Sequence, residues 1–307
     1  MQISKHWQGL DPKAKGASVA MGNFDGVHLG HQAVINLARG AAPLGVVTFE
    51  PHPREYFAPS SPPFRLMNAE ARANRLAKLG VAELYELPFD ATLAGLTPEA
   101  FACDVLAQGL GISRVVVGTD FRFGKGRAGT AADLQALGAA HGFAVTVAEL
   151  VKSGGKDISS TAIRAALTDG RPRDAAAMLG HWHRIEGAVI HGEKRGRDLG
   201  YPTANMSIAG LHSPRFGVYA VRVDVLTGAQ AGPHIGAASL GVHPMFGENR
   251  PNLETYLFDF AGDLYGQHLS VALVDYLRPE MKFDGLPQLM IQMQADCDRA
   301  RAILTGG

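Results

Sequence analysis

A chain of 307 residues is too long for one ordinary hydrophobic core and predicts two domains. Its 46% hydrophobic and 19% charged content is that of a soluble globular protein, and Lys+Arg and Asp+Glu both number 29, so no net field recruits nucleic acid or an acidic membrane. The distant Cys103 and Cys297 form no Cys-x-x-Cys, the N-terminus lacks an apolar targeting core and no apolar run approaches a membrane span; the expectation is a cytoplasmic chain, monomeric or weakly self-associating.

The first strong signal is Gly22-Asn23-Phe24-Asp25-Gly26-Val27-His28-Leu29-Gly30-His31. The apolar run Ala17–Met21 before it reads as a buried strand, and Ala33, Val34, Leu37 and Ala38 after it recur at helical spacing. A strand end, a glycine turn and a helix N-terminus make an anion cradle, because backbone N–H groups and the helix dipole both favour negative charge. His28 and His31, three apart, project from one face of the first turn. Gly30 between them removes a side chain where a phosphate must come close. A metal site or a pair of helix-capping histidines is the plainer alternative, although no third ligand stands at metal spacing.

Further strands are predicted at 44–49, 83–87, 113–118 and 143–150, with helices near 68–79, 97–109 and 172–179. Such alternation predicts a doubly wound parallel sheet, whose ligand edge would receive the turn Glu50-Pro51-His52-Pro53-Arg54. After Gly118 runs Thr119-Asp120-Phe121-Arg122-Phe123-Gly124-Lys125-Gly126-Arg127-Ala128-Gly129. Gly124, Gly126 and Gly129, with Glu149, match the dinucleotide fingerprint and support a rival, an NAD-linked oxidoreductase. The fingerprint's first glycine belongs at the strand end, however, and five residues, Thr119 to Phe123, intervene. Ile158-Ser159-Ser160-Thr161-Ala162-Ile163-Arg164 opens another helix, where Ser159 or Ser160 serves as N-cap and the hydroxyls with Arg164 suit triphosphate oxygens.

From His183 helical periodicity gives way to short strands at 185–191, 217–226, 234–240, 253–260 and 267–277, the pattern of a small antiparallel barrel, closed by a helix over 286–304. Between the first strands, Gly192, Gly196 and Gly200 with Lys194, Arg195 and Arg197 make a basic, glycine-rich flap. Thr203 and Asn205, two apart in an extended segment, point one way and suit Mg²⁺; a solvated basic loop is the alternative. In Leu253-Glu254-Thr255-Tyr256-Leu257-Phe258-Asp259-Phe260, alternation sets Glu254 among aromatic rings, an environment expected to raise its pKa and make it a proton acceptor.

Four of these segments, in this order, resemble the bifunctional riboflavin kinase/FMN adenylyltransferase (prokaryotic FAD synthetase) family: the His-x-Gly-His segment, Asp120–Gly124, Ile158–Arg164, and the flap with its Pro202-Thr203-Ala204-Asn205 core. The resemblance implies a Rossmann-like nucleotidyltransferase domain over residues 1–181 and a riboflavin kinase barrel over 182–307. It implies two transferase activities, ATP-dependent phosphorylation of riboflavin to FMN and adenylylation of FMN with ATP to FAD and pyrophosphate. His28, His31 and Arg164 would act at the adenylylated phosphorus, and Glu254 as general base of the kinase. ATP phosphates would lie on Gly22, Asn23, Phe24, Asp25, Gly30, Ser159, Ser160 and Thr161 in one site, and on Gly192, Arg195, Gly196 and Gly200 in the other. Flavin would meet Asp120, Phe121, Arg122, Phe123 and Arg278, and Mg²⁺ would meet Thr203 and Asn205. The sequence departs from the family pattern at Ala162, where a basic residue is usual, and at His243 and Met245, which replace Arg and Thr. A non-catalytic flavin-binding regulator is the remaining alternative.

Overall fold

The computed structural model describes residues 1–149, 152–153, 156–191, 200–245 and 248–306. The chain forms two compact units, one of residues 1–62 and 72–158, the other of residues 63–71 and 159–307.

The first unit is built on a six-stranded parallel sheet: β1 (Gln2–Ser4), β2 (Ser18–Met21), β3 (Leu44–Glu50), β4 (Glu83–Pro88), β5 (Arg114–Gly118) and β6 (Ala144–Ala148), in the spatial order β1-β4-β3-β2-β5-β6. All four residues of β2 are buried, as are Val115, Val116 and Val117 of β5, because a parallel strand in mid-sheet is covered on both faces. The chain leaves β2 toward β3 and β4 on one side, then returns to place β5 and β6 on the other. The crevice between the carboxyl ends of β2 and β5 is therefore the topological switch point, where doubly wound sheets bind ligands. Helix α1 (Leu29–Leu37) follows β2.

The expected strands and helices of this half are present, with two differences. Strand β1 pairs in parallel with β4 at the sheet edge; three residues, Gln2, Ile3 and Ser4, are too few to show a period. The predicted helix over 97–109 starts as one α-turn at Pro98, capped by Thr97, and continues as a π-helix over Phe101–Gly109. A side chain at Gly109 would meet the Trp7 carbonyl at 2.7 Å and the Asp104 carbonyl at 2.8 Å, so the wider coil ends against backbone that only glycine admits.

In the second unit, β7 (Arg184–Ala188), β8 (Ala204–Ser207), β9 (Gly217–Val225), β10 (Gly232–Met245), β11 (Glu248–Leu257) and β12 (His268–Arg278) form an antiparallel sheet ordered β7-β12-β9-β10-β11-β8. Ile190, just beyond β7, bridges to Asn205 in β8, bringing the two edges together and curling the sheet into a near-closed barrel. Its interior holds Ile185, Met206, Tyr219, Val221, Val223, Leu240, Leu253 and Leu257. A second apolar layer, including Val218, Ala220, Phe258 and Val274, lies under Cys297, Ala300 and Leu304 of the closing helix, which runs Leu286–Thr305. Two helices, Ser160–Thr168 and Pro172–Leu179, belong to this unit and share a small core with Leu66.

Candidate functional sites

At the carboxyl end of β2 the backbone turns sharply. Gly26 has φ 86°, and Phe24 (φ 52°) and Val27 (φ 44°) occupy the left-handed region that non-glycine residues avoid. Phe24 and Val27 are fully buried, so packing holds this costly loop in place, as is usual where a loop has a task. His28 is the N-cap of α1: its Nδ1 accepts from the His31 N–H at 3.3 Å. With Nδ1 an acceptor, the ring proton sits on Nε2 and is available as a donor. The His28 and His31 rings stack with centroids 3.6 Å apart and planes 14° from parallel, and Phe24 packs its edge on His31 at 5.2 Å.

Burial lowers the His28 pKa to about 4 and pushes that of His31 well below the ordinary histidine value, the neighbouring His28 adding to it. Both imidazoles are therefore neutral at pH 7. His31 stays partly exposed, while its Nδ1 is buried without a hydrogen-bond partner among the described residues. The capping alternative thus holds for His28, and it fixes the tautomer rather than excluding a role in binding. Gly30 has a local reason as well: a Cβ there would lie 3.1 Å from His28 Cε1, so the histidine ring occupies the space the missing side chain leaves. Gly22 and Asn23 are partly exposed and Asp25 is buried; the Asn23 carbonyl accepts from Thr48 Oγ1 at 3.2 Å.

Across the switch point, Asp120 and Arg122 are exposed and Phe121 is partly buried, its ring lying 5.8 Å from Phe123. Phe123 is committed to the core at 6% exposure, against Phe101, and Gly129 is glycine because a Cβ would meet the Phe123 ring at 2.7 Å. The dinucleotide reading fails on this geometry. After β5 ends at Gly118, a two-residue ladder pairs Arg122–Phe123 with Gly129–Thr130, and the next α-helix begins only at Ala131. Sequence reading missed the aromatic rim beyond β3 and β4, where Phe57 (66% exposed), Tyr56 and Phe89 pack with centroids 5.1–5.6 Å apart. Their signal was the Glu50–Arg54 turn, after which a short helix, Pro53–Phe57, carries two aromatic residues past the strand end.

In the second unit Ser159 is the N-cap of helix Ser160–Thr168, its Oγ accepting from the Ala162 N–H at 3.2 Å. Ser160 is partly exposed and Thr161 exposed. Arg164 donates to Thr161 Oγ1 and to the Phe64 carbonyl, both at 3.4 Å, with its guanidinium 5.9 Å from the Phe64 ring centre.

On the barrel, Asn205 and Glu254 are direct partners across the β8–β11 ladder, and Ser239 of β10 is the partner of Glu254 on the other side. Directly opposed residues share a face, so Asn205, Glu254 and Ser239 stand together. Asn205 Nδ2 donates to the Thr203 carbonyl at 3.3 Å and lies 3.5 Å from Thr203 Oγ1. Thr203 also lines a pocket of about 320 Å³ with Pro202, Phe260, Leu264 and Tyr265. Gly200 is exposed with φ 83°, whereas Gly192, Lys194, Arg195, Gly196 and Arg197 lie outside the described residues. Arg278 is engaged with Asp296, Nε and Nη2 reaching its carboxylate at 2.7–3.0 Å, and its guanidinium lies 5.7 Å from the Phe283 ring centre.

Comparison with known proteins matches residues 10–162 to a family model described as FAD synthetase and residues 179–304 to one described as riboflavin kinase. A bifunctional riboflavin kinase/FMN adenylyltransferase of Pseudomonas fluorescens is 40% identical, the match covering 99% of this chain and 98% of the relative. The chain belongs to the bifunctional riboflavin kinase/FMN adenylyltransferase family. A protein of the same description from Escherichia coli K12 is 39% identical over 92% of this chain and 91% of its own. Among solved structures, one titled a macrolide-efflux protein from Streptococcus pneumoniae superposes with a TM-score of 0.81 at 32% identity, covering 98% of each chain. Among the described residues, no helix is long and apolar enough to cross a membrane.

Proposed function

We propose that the barrel unit phosphorylates riboflavin to FMN and that the switch-point site then joins AMP to FMN, giving FAD. The observation that carries this reading is the pairing of two kinds of site in one chain of this family: stacked neutral imidazoles at a helix N-terminus, and a carboxylate across a strand ladder from an amide that itself lies 3.5 Å from a hydroxyl. In functional terms residues 1–181 form the adenylyltransferase domain and 182–307 the kinase domain. Segments 63–71 and 159–181 nevertheless pack with the second unit.

In the kinase step, the riboflavin 5′-oxygen attacks the γ-phosphorus of ATP, its proton passes to Glu254, and the β–γ bridging bond breaks to release ADP. The pocket beside Thr203, with Phe260 and Tyr265 in its wall, suits the adenine. Leu286 and Met290, one turn apart and exposed, with Met281 and Ile291, offer an apolar surface for the flavin ring near Arg278. Thr203 Oγ1 and Asn205 Oδ1 are neutral oxygens, a donor set that would fit a Mg²⁺ taking its other ligands from water and phosphate. When bound, that ion would neutralise phosphate charge; Gly192, Arg195, Gly196 and Gly200 would cover the phosphates. In the adenylyl step a phosphate oxygen of FMN attacks the α-phosphorus of a second ATP, and pyrophosphate leaves. His28 Nε2–H and His31 donate to the charge that develops there, with Gly22, Asn23, Asp25 and Gly30 shaping the cradle; the resemblance assigns Ser159, Ser160, Thr161 and Arg164, on their own helix, to triphosphate oxygens as well. Asp120, Phe121 and Arg122, with the aromatic rim at Tyr56, Phe57 and Phe89, suit the FMN ring, and Phe123 braces them from the core. We place this chemistry in the cytoplasm.

Incubation with ATP, Mg²⁺ and riboflavin, followed by separation of the flavins, should yield FMN and then FAD. Replacing His28 and His31 together by Ala should stop FAD formation and leave FMN accumulating. Glu254→Gln should stop FMN formation, with FAD still made from added FMN. Loss of both activities in either variant would sink the assignment of separate sites, and flavin binding without ATP consumption would point to a regulator instead.

A further inference from the structure

Beside the metal-suited oxygens of the barrel lies a residue that no motif singles out. Asn252 stands two places before Glu254 in β11, on the same face of the strand. It is 2% exposed, and its Nδ2 donates to Asn205 Oδ1 at 2.8 Å. Asn205 in turn donates from Nδ2 to the Thr203 carbonyl at 3.3 Å. The Asn205 amide is thus held at both ends, its plane fixed by Asn252 on one side and by the Thr203 backbone on the other. One lone pair of Asn205 Oδ1 receives the Asn252 proton, and a carbonyl oxygen keeps a second.

Asn252 is not there for its own stability. Its Oδ1 is buried with no hydrogen-bond partner among the described residues, a cost that an apolar side chain of the same shape would avoid. Its strand partners are Ser207 in β8 and Gly241 in β10, neither of which needs an amide opposite it. The service it does perform is to aim the amide of Asn205.

We propose that Asn252 is a positioning residue for the kinase site, orienting the Asn205 carbonyl so that its free lone pair faces the divalent cation. The inference rests on the assignment of Thr203 and Asn205 to Mg²⁺ made above. Partners that orient a ligand in this way are typically worth about 10–100-fold in metal affinity. Asn252 acts only through Asn205, so its removal should weaken the cation dependence of FMN formation and spare the adenylyl step.

Asn252→Leu tests this in the full-length chain, because leucine keeps the volume and removes both the donor and the orphaned acceptor. Half-saturating Mg²⁺ for FMN formation should rise about 10-fold or more, while half-saturating Mg²⁺ for FAD formation from added FMN stays at the wild-type value. Thermal unfolding should be unchanged or later, which a residue with a purely structural role would not combine with a lost cation response. Calorimetric titration with Mg²⁺ and ADP, which reads binding without turnover, should show weakening of the barrel site alone. In an Asn205→Ala background the same substitution should add no further shift, since its route to the cation is already gone. An unchanged Mg²⁺ dependence, or a shift that adds fully to that of Asn205→Ala, would overturn the proposal. Should Asn252→Leu fail to fold, Asn252→Ala carries the same expectations for cation dependence. Failure of the wild-type chain to make any FMN would instead overturn the kinase assignment on which the inference stands.

Discussion

The capped and stacked histidines turn a recognisable motif into a particular chemical state. His28 gives Nδ1 to the helix and keeps its proton on Nε2, and burial holds the ring neutral down to about pH 4. An NMR titration should therefore find the His28 and His31 ring signals unmoved between pH 8 and pH 5, where an ordinary histidine titrates near 6.5; a midpoint near 6.5 for either ring would rule out the neutral-donor role. Gly30→Ala tests the same geometry from outside the rings. The added methyl meets His28 Cε1 at 3.1 Å and must push the ring aside by a few tenths of an ångström. FAD formation should fall about 10-fold, since displacements near 1 Å can cost about 100-fold, and FMN formation should hold. The spacing of His28 and His31 was legible because a helix turn fixes which residues share a face. The positioning role of Asn252 was not, because a single amide in a strand carries no spacing signal and its partner is 47 residues away. Arg278 shows a third case: its type and place suggested flavin, but its bidentate contact with Asp296 emerges only when β12 meets the closing helix.

Elements with a clear period were legible, and those made by pairing alone were not. The buried runs of β2, β3 and β5 and the alternating strands of the barrel announce themselves by composition, whereas β1 exists because β4 leaves an open edge for it to pair with. The short strand β8 was read only as extended chain, and becomes a strand by pairing with β11. The carboxyl ends of β3 and β4 are tied by Arg72, which is fully buried and reaches Glu50 and Glu86 at 2.8 Å each. Glu50 opens the turn that carries the aromatic rim, so this ion pair anchors the site's edge as well as the sheet. Arg72→Met should cost about 3–5 kcal/mol, because Glu86, itself only 7% exposed at its side chain, loses its close partner and keeps only the exposed Lys5 at 4.0 Å. Heat inactivation of FAD formation should then begin about 10 °C earlier, at about 2–4 °C per kcal/mol for a unit of this size; an unchanged inactivation temperature would show that water or another group takes over from Arg72.

At the scale of the whole molecule, the change of character at His183 was visible because a period of 3.6 gives way to a period of 2. The membership of residues 63–71 in the second unit was not, since no local pattern says that a segment will pack with a barrel more than a hundred residues later. That segment is held within its unit by the Asn68 amide, which donates to the Glu186 carbonyl at 2.8 Å, by the pair Glu70–His268 at 2.7 Å, and by His183, whose Nε2 bonds the Leu66 carbonyl at 3.0 Å. His183 is 3% exposed, and burial, with His181 and His212 nearby, lowers its pKa to about 4. Since its Nε2 must donate to the carbonyl, Nδ1 is the basic atom, and it is buried without a partner among the described residues. In the unfolded chain His183 takes up a proton near pH 6.5, and in the folded chain it does so only near pH 4. The unfolded state therefore binds more protons between those values, so the stability His183 lends is complete above about pH 6.5 and drains away as pH falls toward 4. Thermal inactivation of FMN formation should move to lower temperature between pH 7 and pH 5. His183→Leu, which forfeits the bond to Leu66 at every pH, should start from a lower temperature at pH 7 and show a shallower decline. Equal declines in the two chains would mean that His183 takes up its proton at the same pH folded as unfolded, and burial would then not be what keeps its ring neutral.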